Sequence, residues 1–218
     1  MTVAGAQTGI PWFSGTSPAP RGFQGKHFFT AAERRCVDAL VSRLIPTDEL
    51  GPGAREAGVV DFIDDQLAGS YGSGERWYMQ GPFGEGLETQ GYQGPHAPAG
   101  LYRAAIASLD AYSRINFAER TFAELSEGEQ DAVLKQIEDG ELELEGVSAS
   151  AFFGLLRENA IEGFFCDPVY GGNRDMIGWR LVGFPGARYD YRDFLNHNGE
   201  RISIEPVGLY GRPAWNVD

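Results

Sequence analysis

The chain has 218 residues, 42% of them hydrophobic, and a formal net charge of −13. That length suits one domain with irregular extensions, with core enough to fold without metals or dense disulfides. The acidic balance excludes a phosphate-binding face and an electrostatic hold on anionic lipid, and no run of about 18 apolar residues is present to span a bilayer.

Only Lys26 and Lys135 are lysines; the other 16 basic residues are Arg. Coding composition explains that bias most simply, and the bidentate chemistry of Arg at interfaces is the second reading. Charge is unevenly placed. Residues 119–145 hold ten acids against Arg120 and Lys135, whereas residues 171–218 hold six acids and six Arg. The acidic half is expected to face water and the neutral, aromatic half a partner. Cys36 and Cys166 lack metal-ligand spacing and could pair, stay free or bond another chain. Residues 1–15 lack the basic and apolar stretches of a signal peptide, so the expectation is a cytosolic protein or a chain beginning after a removed leader.

In chain order, residues 1–26 read as an extended arm. A first helix is expected from Thr30, where Thr30 and Glu33 form a capping-box pattern. Val37, Leu40, Val41, Leu44 and Ile45 share its apolar face, and Pro46 stops it. A second helix is expected from Val59 to Ala68, ended by Gly69. Residues 69–100 carry nine glycines with Trp77, Tyr78, Phe83 and Tyr92. So long and aromatic a loop is expected to be ordered only against something else.

A third helix is expected over about Ala99–Glu119, on Leu101, Ala105, Leu109 and Tyr112. A fourth begins near Ser126, capped with Glu129, and carries Val133, Leu134 and Ile137. A fifth runs from Ser148 to about Phe165 on Phe152, Phe153, Leu156, Ala160, Ile161 and Phe164, a stripe most often core. Beyond Cys166 the helical period ends, and only Arg201–Val207 has a weak strand pattern. The fold class is mainly α: a small bundle of about five helices with a long Gly-rich loop and an extended C-terminal tail. The domain reading is an arm over 1–26, a helical domain over 27–187, and a partner-wrapping tail over 188–218.

Catalytic patterns are poor. No GxSxG elbow occurs, and His27, His96 and His197 lie far apart in irregular segments, whereas a general base must be held near its partner. The alternating acids of 138–145 lack a calcium-loop pattern and read as a solvated face. Asp167, Asn173 and Asp175 could present oxygens together, but Asp and Asn more often hold turns by bonding nearby backbone N–H groups. Gly72 and Gly74 follow no strand, so no dinucleotide fingerprint is assigned.

Residues 164–186, FFCDPVYGGNRDMIGWRLVGFPG, differ in texture. Two turn signals are interleaved with Tyr170, Trp179, Phe184, Arg174 and Arg180, the residue types enriched at interface hot spots. The stretch reads as a docking surface. Its expected contacts are Tyr170, Asn173, Arg174, Asp175, Trp179 and Phe184, joined by Tyr189, Tyr210 and Trp215 from the tail.

DPVYGGNRDMIGWRLVGFPGAR resembles the signature of the gluconate 2-dehydrogenase subunit 3 family. FFTAAERRCVDALVSRLIPTDE and AGVVDFIDDQLAG resemble that family's first two helices, and FFGLLRENAIEGFFCDPVYGG its last helix and turn. The resemblance implies a non-catalytic small (gamma) subunit in a heterotrimeric oxidoreductase complex of the periplasm, membrane-associated only through its partners. It implies no cofactor in this chain, FAD in a dehydrogenase large subunit, and haem c in a multihaem cytochrome subunit. It implies a chaperone-like role in folding, twin-arginine export and stability of the flavoprotein. Cys166, beside the expected interface, is a candidate for an intersubunit disulfide. The alternative expectation is a self-contained α-helical ligand-binding or hydrolytic protein using Asp167, Asp175 and His96.

Overall fold

The computed structural model describes residues 27–209, except 85, 189, 190, 201 and 203. The arm over 1–26 and the expected contacts Tyr189, Tyr210 and Trp215 lie outside the described residues. Six α-helices and no strand occur among those described.

Helix α1 spans Ala31–Leu44. The Thr30 hydroxyl accepts from Glu33 N, while the Glu33 carboxylate accepts from Thr30 N at 2.8 Å. The reciprocal bonds satisfy two backbone donors left over at the helix start. Cys36, Val37, Leu40 and Val41 face the core. Helix α2 spans Val59–Ala68 and starts after Gly58, whose φ of 72° needs a glycine. Helix α3 spans Pro98–Asn116, with proline in the first turn where its missing N–H costs nothing. It ends three residues earlier than expected because Ala118 and Glu119 take positive φ. Helix α4 covers Glu127–Glu138 behind the Ser126–Glu129 capping box, and α5 covers Ala149–Phe165.

Helix α5 lies at the centre, packed most extensively on α2 and also against α1, α3 and α4. Phe152, Leu156, Ala160 and Phe164 form its buried side, as the apolar stripe requires, while Ile161 points out. One contiguous core holds the side chains of all five long helices.

Three sequence expectations change. First, helical structure does not end at Cys166: α6, Ile177–Val182, follows two 3-10 turns. A six-residue helix is under two turns, too short to show a 3.6-residue period. Second, Arg201–Val207 forms no strand among the described residues; Val207 makes a single parallel bridge with Gly186. Third, the Gly-rich loop has anchors of its own. Trp77 lies between Tyr71 and Tyr92, with ring centroids 6.4 and 5.7 Å away, and the Tyr71 hydroxyl bonds the Asn159 amide. The tip, with Tyr78 and Phe83, stays exposed.

Candidate functional site

The segment after α5 is a knot tied across the ends of α5 and α2. Asp167 starts it, accepting from Val169 N at 3.0 Å and, from the tail, Leu209 N at 2.7 Å. A 3-10 turn then leads to Gly171 and Gly172. A Cβ on Gly172 would sit 2.2 Å from the Gly163 carbonyl oxygen, so only glycine lets the loop cross α5 here.

Asn173 fixes the turn. It is 0% exposed and left-handed, with φ 45°. Its Nδ2 donates to the Cys166 carbonyl and its Oδ1 accepts from Gly178 N, both at 2.8 Å. Asn adopts this backbone region more readily than other non-glycine residues because its short amide can bond locally. Asp175 and Met176 are left-handed as well, at φ 54° and 55°. Such clustered strain persists only where the surroundings over-determine it. Met176, 1% exposed, supplies a buried anchor.

Arg174 ties the loop to α2. Its N–H donates to Ala57 O at 3.0 Å, and its guanidinium crosses Gly58, where a Cβ would lie 2.7 Å from Nε. The guanidinium pairs with Asp61, which also pairs with Arg34 of α1. Three segments thus meet at one carboxylate. Asp64, buried beside it, accepts from Phe28 N and Phe29 N and contacts the His27 ring at 2.6 Å. Asp65 is raised to about 6, first by burial and then by Asp64 and Asp61. Asp61 and Asp65 carry no site signal in the sequence; the run VVDFIDDQLA reads only as an amphipathic helix until the tertiary fold brings Arg174 over Asp61.

Trp179 closes the knot. Its Nε1 donates to the Phe165 carbonyl at 2.7 Å, and its ring meets Phe184 edge-on at 5.2 Å. A Cβ on Gly178 would stand 2.1 Å from the Phe164 carbonyl oxygen, so α6 sits directly on the end of α5.

The expected contact residues therefore separate. Asn173 and Trp179 are buried and occupied in folding the loop, and Arg174 is half-buried on Asp61. Tyr170, Asp175 and Phe184 reach solvent. Beside them stand exposed apolar side chains that the motif reading passed over: Ile161 and Phe165 on α5, Leu181 and Val182 on α6. The part of the tail at Pro206, Val207 and Gly208 is buried on the chain itself.

Cys36 and Cys166 are both free thiols. Burial pushes Cys166 up to about 12, so it is protonated and weakly nucleophilic at neutral pH. The residues of the hydrolytic alternative are engaged elsewhere or unbonded to one another. His96 bonds the Gly146 carbonyl at 3.1 Å, Asp167 holds backbone N–H groups, and no hydrogen bond joins them or Asp175 among the described residues. No group of three or more His, Cys, Asp or Glu among the described residues could hold a metal ion. No helix among them is long and apolar enough to cross a membrane.

No curated protein and no solved structure matches the chain. A family model described as gluconate 2-dehydrogenase subunit 3 matches residues 31–186. The match runs from the first residue of α1, through the knot, to the glycine that bridges Val207. The chain belongs to the gluconate 2-dehydrogenase subunit 3 family.

Proposed function

We propose that the chain is the non-catalytic small subunit of a periplasmic gluconate-type dehydrogenase complex. In this reading it binds an FAD-bearing large subunit and supports that subunit's folding, export and stability. A multihaem cytochrome c subunit completes the complex and carries its association with the membrane. The observation that carries the reading is family membership across the whole helical body. The geometry agrees with it: the polar groups of Asp167, Asn173 and Arg174 are engaged within the fold, and apolar side chains beside them reach solvent. Exposed apolar groups that cluster mark places where another protein binds.

The test is to express the large subunit with and without this chain, and this chain alone. The chain alone is expected to bind no flavin and to reduce no artificial acceptor with a sugar acid. Together they should co-elute as an active flavoprotein. In cells lacking the chain, the large subunit should accumulate unexported or be degraded. Turnover by the isolated chain, or normal periplasmic activity in its absence, refutes the proposal.

A further inference from the structure

We infer that the cleft between the end of α1, the turn over 53–56 and the start of α4 is a binding site for a short alkyl diamine, held through its ammonium groups. None of the residues lining it belongs to the knot, and the inference stands without the subunit reading.

The cleft has a volume of about 390 Å³, with Ser42, Thr47, Glu56, Glu127 and Gln130 among its walls. Gln130 is their buried member, 7% exposed. Its Nε2 donates to the carbonyls of Phe122 and Leu125, both at 3.2 Å. Those bonds fix the amide's orientation and leave Oε1, an acceptor, without a donor among the described residues. The oxygen is not sealed in: the partnerless side-chain atoms closed off from solvent among the described residues are Ser113 Oγ and Arg188 Nε. Gln130 Oε1 therefore opens on the cleft. A second acceptor comes from α1. A helical carbonyl takes the N–H four residues on, and four residues after Ser42 stands Pro46, which has none. Ile45 N to Val41 O is the last bond of the ladder, so the Ser42 carbonyl is left over at the negative end of the helix.

The cations nearby are already engaged. Arg43 gives Nε and Nη2 to Asp131 and pairs through Nη1 with Glu127, while Arg55 gives Nε to Asp38. Four carboxylates, on Asp38, Glu56, Glu127 and Asp131, thus stand against two guanidiniums, an excess of two negative charges. The Thr47 hydroxyl, 2.7 Å from Glu56, holds that carboxyl below the usual range, so it is ionised at neutral pH. An anion would find no guanidinium here that lacks a carboxylate. Acceptors without donors, together with excess negative charge, suit a cation rich in N–H. A primary ammonium has three donors and no acceptor. Glu56 on the turn and Glu127 on α4 suit one such group at each end of the ligand. A metal ion is the poorer fit, since no group of three or more His, Cys, Asp or Glu among the described residues could hold one.

The test is titration calorimetry of the full-length chain with 1,4-diaminobutane at low salt. Saturable binding with a Kd on the order of 1 mM or tighter is expected, and no saturation by about 10 mM overturns the site. Butylamine, with one charge, should bind at least about fivefold more weakly; equal binding overturns the two-acid reading. The fully N-methylated diamine keeps both charges but has no N–H. It should bind at least about tenfold more weakly, and equal binding overturns the part given to Gln130 Oε1 and the Ser42 carbonyl. This ligand series reads the wild-type chain, so it stands whatever a substitution does to the fold. Glu56→Gln with Glu127→Gln should weaken diamine binding about fivefold or more. Glu141→Gln with Glu143→Gln, the same charge change at exposed positions outside the cleft, should alter it by less than about twofold. Equal effects of the two pairs overturn the site in favour of diffuse attraction to an acidic chain.

Discussion

Asn173→Ala removes the residue on which the loop after α5 depends most. The side chain is fully buried and makes two hydrogen bonds of 2.8 Å, to Cys166 O and from Gly178 N. Each buried polar group left without its partner costs about 1–3 kcal/mol. Placing alanine at φ 45° adds roughly 1–2 kcal/mol that the asparagine amide had offset. The expected loss is therefore about 3–8 kcal/mol, a fall in melting temperature of roughly 6–30 °C for a chain of this size. Urea unfolding followed by tryptophan fluorescence is a suitable assay, since Trp179 reports on the knot. Asn173→Asp provides a sharper control. Its carboxylate still accepts from Gly178 N but faces the Cys166 carbonyl, so its folded-state pKa is raised. Its stability should therefore fall as pH rises toward 7 and partly recover on acidification, when the protonated acid can donate. A loss below about 1 kcal/mol for Asn173→Ala would refute the claim that these two bonds set the turn.

Gly172→Ala and Gly178→Ala each place a methyl within 2.2 and 2.1 Å of a carbonyl oxygen of α5, so both should destabilise by about 3 kcal/mol or more in denaturant melts. Thr30→Ala removes one half of the capping box and should cost about 1 kcal/mol by the same measurement. Asp65 is held at about 6, above its ordinary 3.8, so the folded chain binds that proton more tightly than the unfolded one. Its contribution to stability is complete below about pH 4 and is lost as pH rises through 6. Asp65→Asn should therefore melt above the wild type at pH 7, with the difference closing below pH 4; an unchanged difference across that range would refute the assignment.

Local chemistry is what the sequence by itself determined. Thr30–Glu33 and Ser126–Glu129 cap α1 and α4 because a hydroxyl and a carboxylate three residues apart reach the orphan N–H groups whatever lies elsewhere. Val59–Ala68 and the buried stripe of α5 follow from helical spacing, and Pro46 and Gly69 from backbone restriction. The motif at 164–186 was legible as special, since glycines, turn pairs and aromatics rarely mix so densely. Which of its residues face inward was not legible. Asn173 and Trp179 resemble interface residues by type, yet the carbonyls of Cys166 and Phe165 claim them, and those carbonyls are free only because α5 ends there. Arg174 finds Asp61 across 113 positions of sequence, and Ile161 leaves the core stripe because no helix among the described residues covers its side of α5. Tertiary packing alone decided these, because partner choice depends on which helix end lies within a hydrogen bond's reach, and sequence spacing carries no such distance.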